Sequence, residues 1–175
     1  MSFIDLNLLW NLGPTSIMIL LTLFSFTNGI LLLPASQVIL IFGGLLVGKS
    51  NMSFLFIFTI LTLSNFLGNY LLYIISYKWG EETARKFLPM KKRTLDKNML
   101  IVHYLFKYHG PLILFVGRNL PVIHSIISIP AGVAKVSKKT YTIYTLLGMA
   151  TWSLIFMGIG MLAFLITRKI DGDIW

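Results

Sequence analysis

The stretch GPLILFVGRNLPVIHSIISIPAGVA, residues 110–134, is apolar enough for a membrane, yet it carries Arg118, His124 and the prolines Pro121 and Pro130. A helix crossing hydrocarbon needs roughly 20 apolar residues and an unbroken backbone ladder. This stretch has the length and lacks the continuity. Half-helices meeting at Asn119-Leu120-Pro121 fit it better, because broken backbone at membrane depth is tolerated only where protein buries it or a cavity receives it. Residues 110–134 are therefore predicted to form a re-entrant region, and the flanking sequence has to supply its walls.

That flanking sequence is suited to the task. Of 175 residues, 56% are hydrophobic and only 12% charged, so a water-soluble surface cannot be built. No charged residue lies between Asp5 and Lys49, between Lys49 and Lys78, or between Lys139 and Arg168. The last two intervals each predict one transmembrane helix, at 51–77 and 141–167, the second anchored by Arg168 and Lys169. Ser64, Asn65 and Asn69, inside the first of these, should face protein or a cavity. The earlier interval, Leu6 to Gly48, is about twice one span and is interrupted by Gly29 and Pro34. It reads as two helical pieces, or as a helix and a re-entrant half-helix, with a first re-entrant region at about 25–48. The N-terminal MSFID has an acid where a signal peptide has basic residues, so no removable leader is expected. The chain is thus predicted to be a multi-pass integral membrane protein of the cytoplasmic-membrane type, a single unit over 1–175.

The net charge of +9 is concentrated, with eight of the fifteen Lys and Arg residues between Lys78 and Lys107. Beside hydrophobic segments, such a cluster points to anionic lipid headgroups. Nucleic acid is not expected as a partner, since no nucleic-acid module accompanies the charge. Within 78–109, Leu95, Met99, Val102 and Phe106 recur at helical spacing, which predicts an interfacial amphipathic helix divided near Pro89.

Arg118 is the one fixed charge between Lys107 and Lys135. An unpaired arginine at the bilayer centre costs roughly 2.5 to 3.5 kcal/mol on insertion scales, so something must compensate it. Either it snorkels or pairs with backbone carbonyls, or it holds an anion with help from the free N–H groups of a half-helix starting at Pro121. His124 is either a neutral packing residue or a neighbour of that anion. Near Pro34, Ser36 is expected to cap the following helix; Gln37 and Asn28 are polar residues in the same apolar context. Gly44 and Gly48, with Gly158 and Gly160, suggest close helix packing. A weak repeat links Pro34, Gly44 and Lys49 to Pro121, Gly132 and Lys135, and paired breaks of this kind point to a site at their interface.

Enzymatic chemistry is the poorer hypothesis. With no cysteine there are no disulfides, thiolate metal ligands or cysteine nucleophiles. The six acids are terminal or lie in the basic segment, and the three histidines are scattered. Neither a metal nor a cofactor is called for.

The run from Phe115 through Gly117, Arg118, Asn119, Pro121, His124 and Pro130 to Gly132 resembles the long signature of the DedA family, which shares the VTT (SNARE-associated) domain. Thr27-Asn28-Gly29 through Pro34 to Gln37 is similar to that family's first re-entrant motif, and Gly148 with Trp152 suits its following span. The resemblance covers about residues 25–165. It implies an all-α membrane fold of two inverted re-entrant helical hairpins facing each other among transmembrane helices. It also implies movement of lipids between leaflets, by a flippase for a polyprenyl phosphate such as undecaprenyl phosphate or by a phospholipid scramblase. Arg118, His124, Asn119, Pro121, Gly117, Ser36, Gln37 and Asn28 would then contact substrate, with Pro34, Gly44, Pro130 and Gly132 shaping the motifs. The chain departs from the pattern at Thr27 and Gln37, where the family commonly has acids, and at His124, where it has a second arginine. Many members also continue into a further C-terminal span. The competing readings are a membrane-organising protein that binds anionic lipid or a partner without transporting, and a small ion or solute transporter. A homo-oligomer stays open.

Overall fold

The computed structural model describes residues 13–31, 36–50, 52–80, 92–120 and 123–172, without the side chains of 92–103, 125 and 170–172. Pro34, Pro89 and Pro121, on which three sequence breaks were placed, lie outside the described residues. The described elements are α1 (Gly13–Leu31), α2 (Ser36–Lys49), α3 (Phe54–Trp79), α4 (Lys92–Arg118), α5 (Ile123–Ile126), α6 (Ser128–Val133) and α7 (Lys138–Gly172). Among the described residues there is no strand.

Among the described residues, three helices are long and apolar enough to cross a membrane: Gly13–Leu31, Phe54–Trp79 and Lys138–Lys169. Phe54–Trp79 overlaps the span expected at 51–77, and Lys138–Lys169 encloses the one expected at 141–167. Their outward faces expose Leu55, Phe56, Leu63 and Leu67 on α3, and Leu154, Ile155, Leu162 and Ile166 on α7, each by about half or more of its surface. Facing water, a stripe that large would drive association; facing lipid tails, it costs nothing.

The sequence pattern is corrected at Gly29, which does not interrupt a helix. α1 runs through it to Leu31, so residues 25–31 of the expected re-entrant region belong to a 19-residue helix. Gly29 serves close approach instead. A Cβ there would come within 2.7 Å of the Asn65 carbonyl and 2.8 Å of the Asn69 amide, so α1 lies against α3 backbone to backbone. Gly68 repeats the contact from the other side, against the Phe26 carbonyl.

α2 packs against α7, far along the chain, and α6 packs against α3. Both pairings meet at a glycine: a Cβ at Gly44 would overlap the Met157 carbonyl, and one at Gly132 would come within 2.6 Å of the Tyr73 carbonyl. Gly160 also touches α2, through the Ile41 carbonyl, whereas Gly158 has open space around it and plays no such part. With 14 residues, α2 is only about 21 Å long, short of the roughly 30 Å of hydrocarbon.

α4 breaks at His109, where φ is −132° and ψ is 22°. Pro111 accounts for the break, because its ring clashes with the preceding turn and disfavours helical geometry just before it. After Arg118 the backbone runs through two short helices. Pro130 has no N–H to return to Ile126, so the ladder lapses between them while Ala131 still donates to the Ile127 carbonyl at 3.2 Å.

Candidate functional site

Arg118 ends α4 and is fully buried. Its guanidinium is held from four elements at once. Nη1 donates to Asn69 Oδ1 on α3 at 2.9 Å and to the His124 carbonyl on α5 at 2.5 Å. Nη2 donates to Ser128 Oγ on α6 at 2.7 Å and to the Tyr141 hydroxyl on α7 at 3.0 Å. Gly148 makes room for this side chain, since a Cβ there would sit 2.6 Å from Arg118 Cβ.

The cage is cross-braced. Asn69 Nδ2 donates to Asn65 Oδ1 at 2.7 Å, which fixes the amide so that its oxygen faces the arginine. Ser128 Oγ donates to Asn69 Oδ1 at 3.0 Å, and the Tyr141 hydroxyl donates to the Asn69 carbonyl at 3.1 Å. The Tyr141 ring stacks on Tyr73 with centroids 3.9 Å apart, and Tyr73 donates to the Val136 carbonyl.

Every partner of the guanidinium is neutral. Hydrogen bonds engage Nη1 and Nη2, but they leave the charge in place, and a buried charge is strongly disfavoured unless paired. Arg118 Nε has no hydrogen-bond partner among the described residues. Nor have both ring nitrogens of His124 and Nε1 of Trp152, all buried. These two rings stack at 5.3 Å, and Trp152 continues into the core of Met18, Leu40 and Leu61. Among the described residues, the unpartnered donors thus include Nε of the buried cation itself, and the His124 ring belongs to a residue whose carbonyl that cation engages. Among the described residues, no group of His, Asp and Glu could hold a metal ion.

The sequence-predicted site residues divide into three groups. Arg118 and His124 come together directly, whereas no described contact joins Asn28 to them; only its neighbour Gly29 lies against Asn69. Asn28 itself is buried with Oδ1 unpartnered. Asn119 faces elsewhere, donating to the Phe115 carbonyl at 2.9 Å and accepting from Thr151 at 3.0 Å, and Gly117 provides space for Ile127. Ser36 does not cap α2: its Oγ is buried and has no hydrogen-bond partner among the described residues. Gln37 is half-buried beside it, and no described contact joins either to Arg118. Where a half-helix starting at Pro121 was expected, the described residues form two short helices, α5 and α6. α5 has four residues, too few for a helix dipole to build, so any anion here depends on the cation.

Asn69, Ser128 and Tyr141 are the residues the sequence pattern did not single out as site residues. Asn69 alone carried a signal, as a polar residue in mid-span.

The fold and this site define a multi-pass cell membrane protein with a buried cation walled by its spans. The chain belongs to the VTT domain family, the DedA family, whose model matches residues 33–162. It is 32% identical over 151 residues to Undecaprenyl phosphate transporter A of Staphylococcus aureus, covering 83% of this chain and 72% of that protein. It is 26% identical over 129 residues to Undecaprenyl phosphate transporter A of Bacillus subtilis, covering 72% and 63%. Alkaline phosphatase-like protein of Lactococcus lactis subsp. lactis is 29% identical over 129 residues, covering 71% and 60%. The chain thus spans less than two thirds of these last two relatives. No solved structure matches it. The relatives named as transporters support a DedA-type membrane transporter.

Proposed function

We propose that this chain moves a lipid phosphate, a polyprenyl phosphate such as undecaprenyl phosphate or a phospholipid, between leaflets, with Arg118 as the group that receives the phosphate. The observation that carries the proposal is the Arg118 guanidinium, fully buried among neutral acceptors and beside unpartnered donors. A phosphate would supply the missing charge and accept from Nε and from the nearby ring N–H groups. Ser128 and Tyr141, whose hydroxyls now accept from Nη2 and donate to Asn69, can redirect those protons to the phosphate. The lipid tail stays in the bilayer, so only the headgroup exchanges its water for the cage. Two re-entrant hairpins are part of this reading. The short α2, the break at His109 and the short helices after Arg118 support it, because none of these pieces crosses the hydrocarbon alone.

The test is flipping of polyprenyl phosphate and of phospholipid, side by side, in vesicles holding the purified chain. Arg118→Lys keeps a positive charge but cannot reproduce a four-bond planar fork. Losing charge-assisted bonds worth about 1.5–3 kcal/mol each should lower transport roughly tenfold or more. Undiminished flipping in that variant would remove Arg118 from the mechanism. The phosphatase-like relatives favour a second reading, hydrolysis of the phosphate, and release of inorganic phosphate in the same vesicles would support it.

A further inference from the structure

Away from Arg118, a cavity of about 490 Å³ lies where the kink in α4 meets the loop from α6 to α7, lined by Tyr104, Lys107, Pro111, Lys135, Val136 and Thr140 among others. We infer that it is a docking site for an anionic phospholipid, distinct from the buried arginine and independent of the transport proposal. The headgroup phosphate would lie between Lys107 and Lys135, with an acyl chain along the exposed stripe of α4.

Three observations carry this. The first is charge complementarity: both ionisable side chains in the lining that carry a charge at neutral pH are lysines, and Lys138 and Lys139 follow at the start of α7. The second is the shape of the surface beside it. Tyr104 and Tyr108, one helical turn apart and each about 60% exposed, bring their ring centroids within 4.8 Å, and Lys107 Nζ lies 5.6 Å from the Tyr108 ring, which makes an aromatic track beside the cation, with the exposed Leu112 beyond the break at His109. A free anion would have no use for that track, whereas an amphiphile fits both parts.

The third is the backbone at Lys135, which has φ +54° and is the one described non-glycine residue with positive φ. Its N–H donates to the Gly132 carbonyl at 3.0 Å, so it closes α6 at a position where glycine is the usual choice. A lysine there costs backbone energy that glycine would not. The side chain is also held, with Nζ donating to the Tyr77 carbonyl and lying 4.5 Å from the centroid of the Tyr77 ring. A cation thus occupies a glycine position and is fixed at the rim of the cavity.

The experiment uses the full chain in a neutral detergent, with fluorescent phosphatidylglycerol as probe, phosphatidylcholine of the same chains for comparison, and inorganic phosphate as competitor. Lys107→Gln and Lys135→Gly should each weaken phosphatidylglycerol binding roughly five-fold. Phosphatidylcholine binding should not change, and Lys169→Gln, at the far end of α7, should leave both unchanged. Because glycine suits the Lys135 backbone, that variant should keep its thermal midpoint, which separates lost binding from lost folding. Unchanged phosphatidylglycerol binding in a chain carrying both Lys107→Gln and Lys135→Gly would overturn the proposal. So would an equal loss for both lipids, or displacement by inorganic phosphate as effective as by phosphatidylglycerol.

Discussion

Arg118 gains from burial only as part of a set. Asn69, Ser128 and Tyr141 each offer it one oxygen, and each is in turn bonded to another member, so removing one leaves the others short. Tyr141→Phe keeps the stack on Tyr73 and deletes only the hydroxyl. It should lower stability by about 1–3 kcal/mol, the cost of stranding a buried donor, read as a fall in the thermal midpoint in detergent; no fall would mean that the hydroxyl does not hold the guanidinium. The arginine was legible in the sequence because a lone charge in an apolar run needs an explanation. That Asn69, Ser128 and Tyr141 are its side-chain partners was not, because they are neutral and come from three elements whose meeting only the tertiary fold decides. His124 was legible as a candidate for the same reason as Arg118. That its ring lies on Trp152 was not, since only the tertiary fold brings the two rings together.

At the scale of elements, glycines decide which helices meet. The composition made close packing expected at Gly44, Gly158 and Gly160, but not which of them touches a neighbour. Gly44→Ala would drive a methyl into the Met157 backbone, which cannot retreat as a side chain would. It should cost about 1–3 kcal/mol, as overpacking does. Gly158→Ala meets nothing within 4 Å and should leave the thermal midpoint unchanged or slightly raised, since alanine is the better helix former. Equal effects of the two would contradict the α2 to α7 contact. Gly29 was misread as a break for a related reason: sequence alone does not distinguish a glycine that ends a helix from one that lets two helices touch. The two spans over α3 and most of α7 were legible because length and absence of charge are enough to specify them, whatever they pack against.

For the whole molecule, the transport and membrane-organising readings make opposite demands on the basic segment. Lys91, Lys92 and Arg93 lie where no side chain is described. If the chain transports, neutralising all three should leave flipping in vesicles within about twofold, because a screened surface charge contributes roughly 1 kcal/mol or less. A complete loss there, with Arg118→Lys tolerated, would favour the organising role. The crosswise pairing of α2 with α7 and of α6 with α3 has a consequence for how such a molecule is made. α2 emerges from the ribosome with its glycine face ready, yet its partner is not synthesised until the whole stretch from Ser50 to Ser137 has followed. During that interval it must wait, shielded by lipid, by the translocation machinery or by α1. A product terminated before Lys138 should therefore be degraded faster than the full chain in a pulse-chase measurement, because α7 completes the packing of α2.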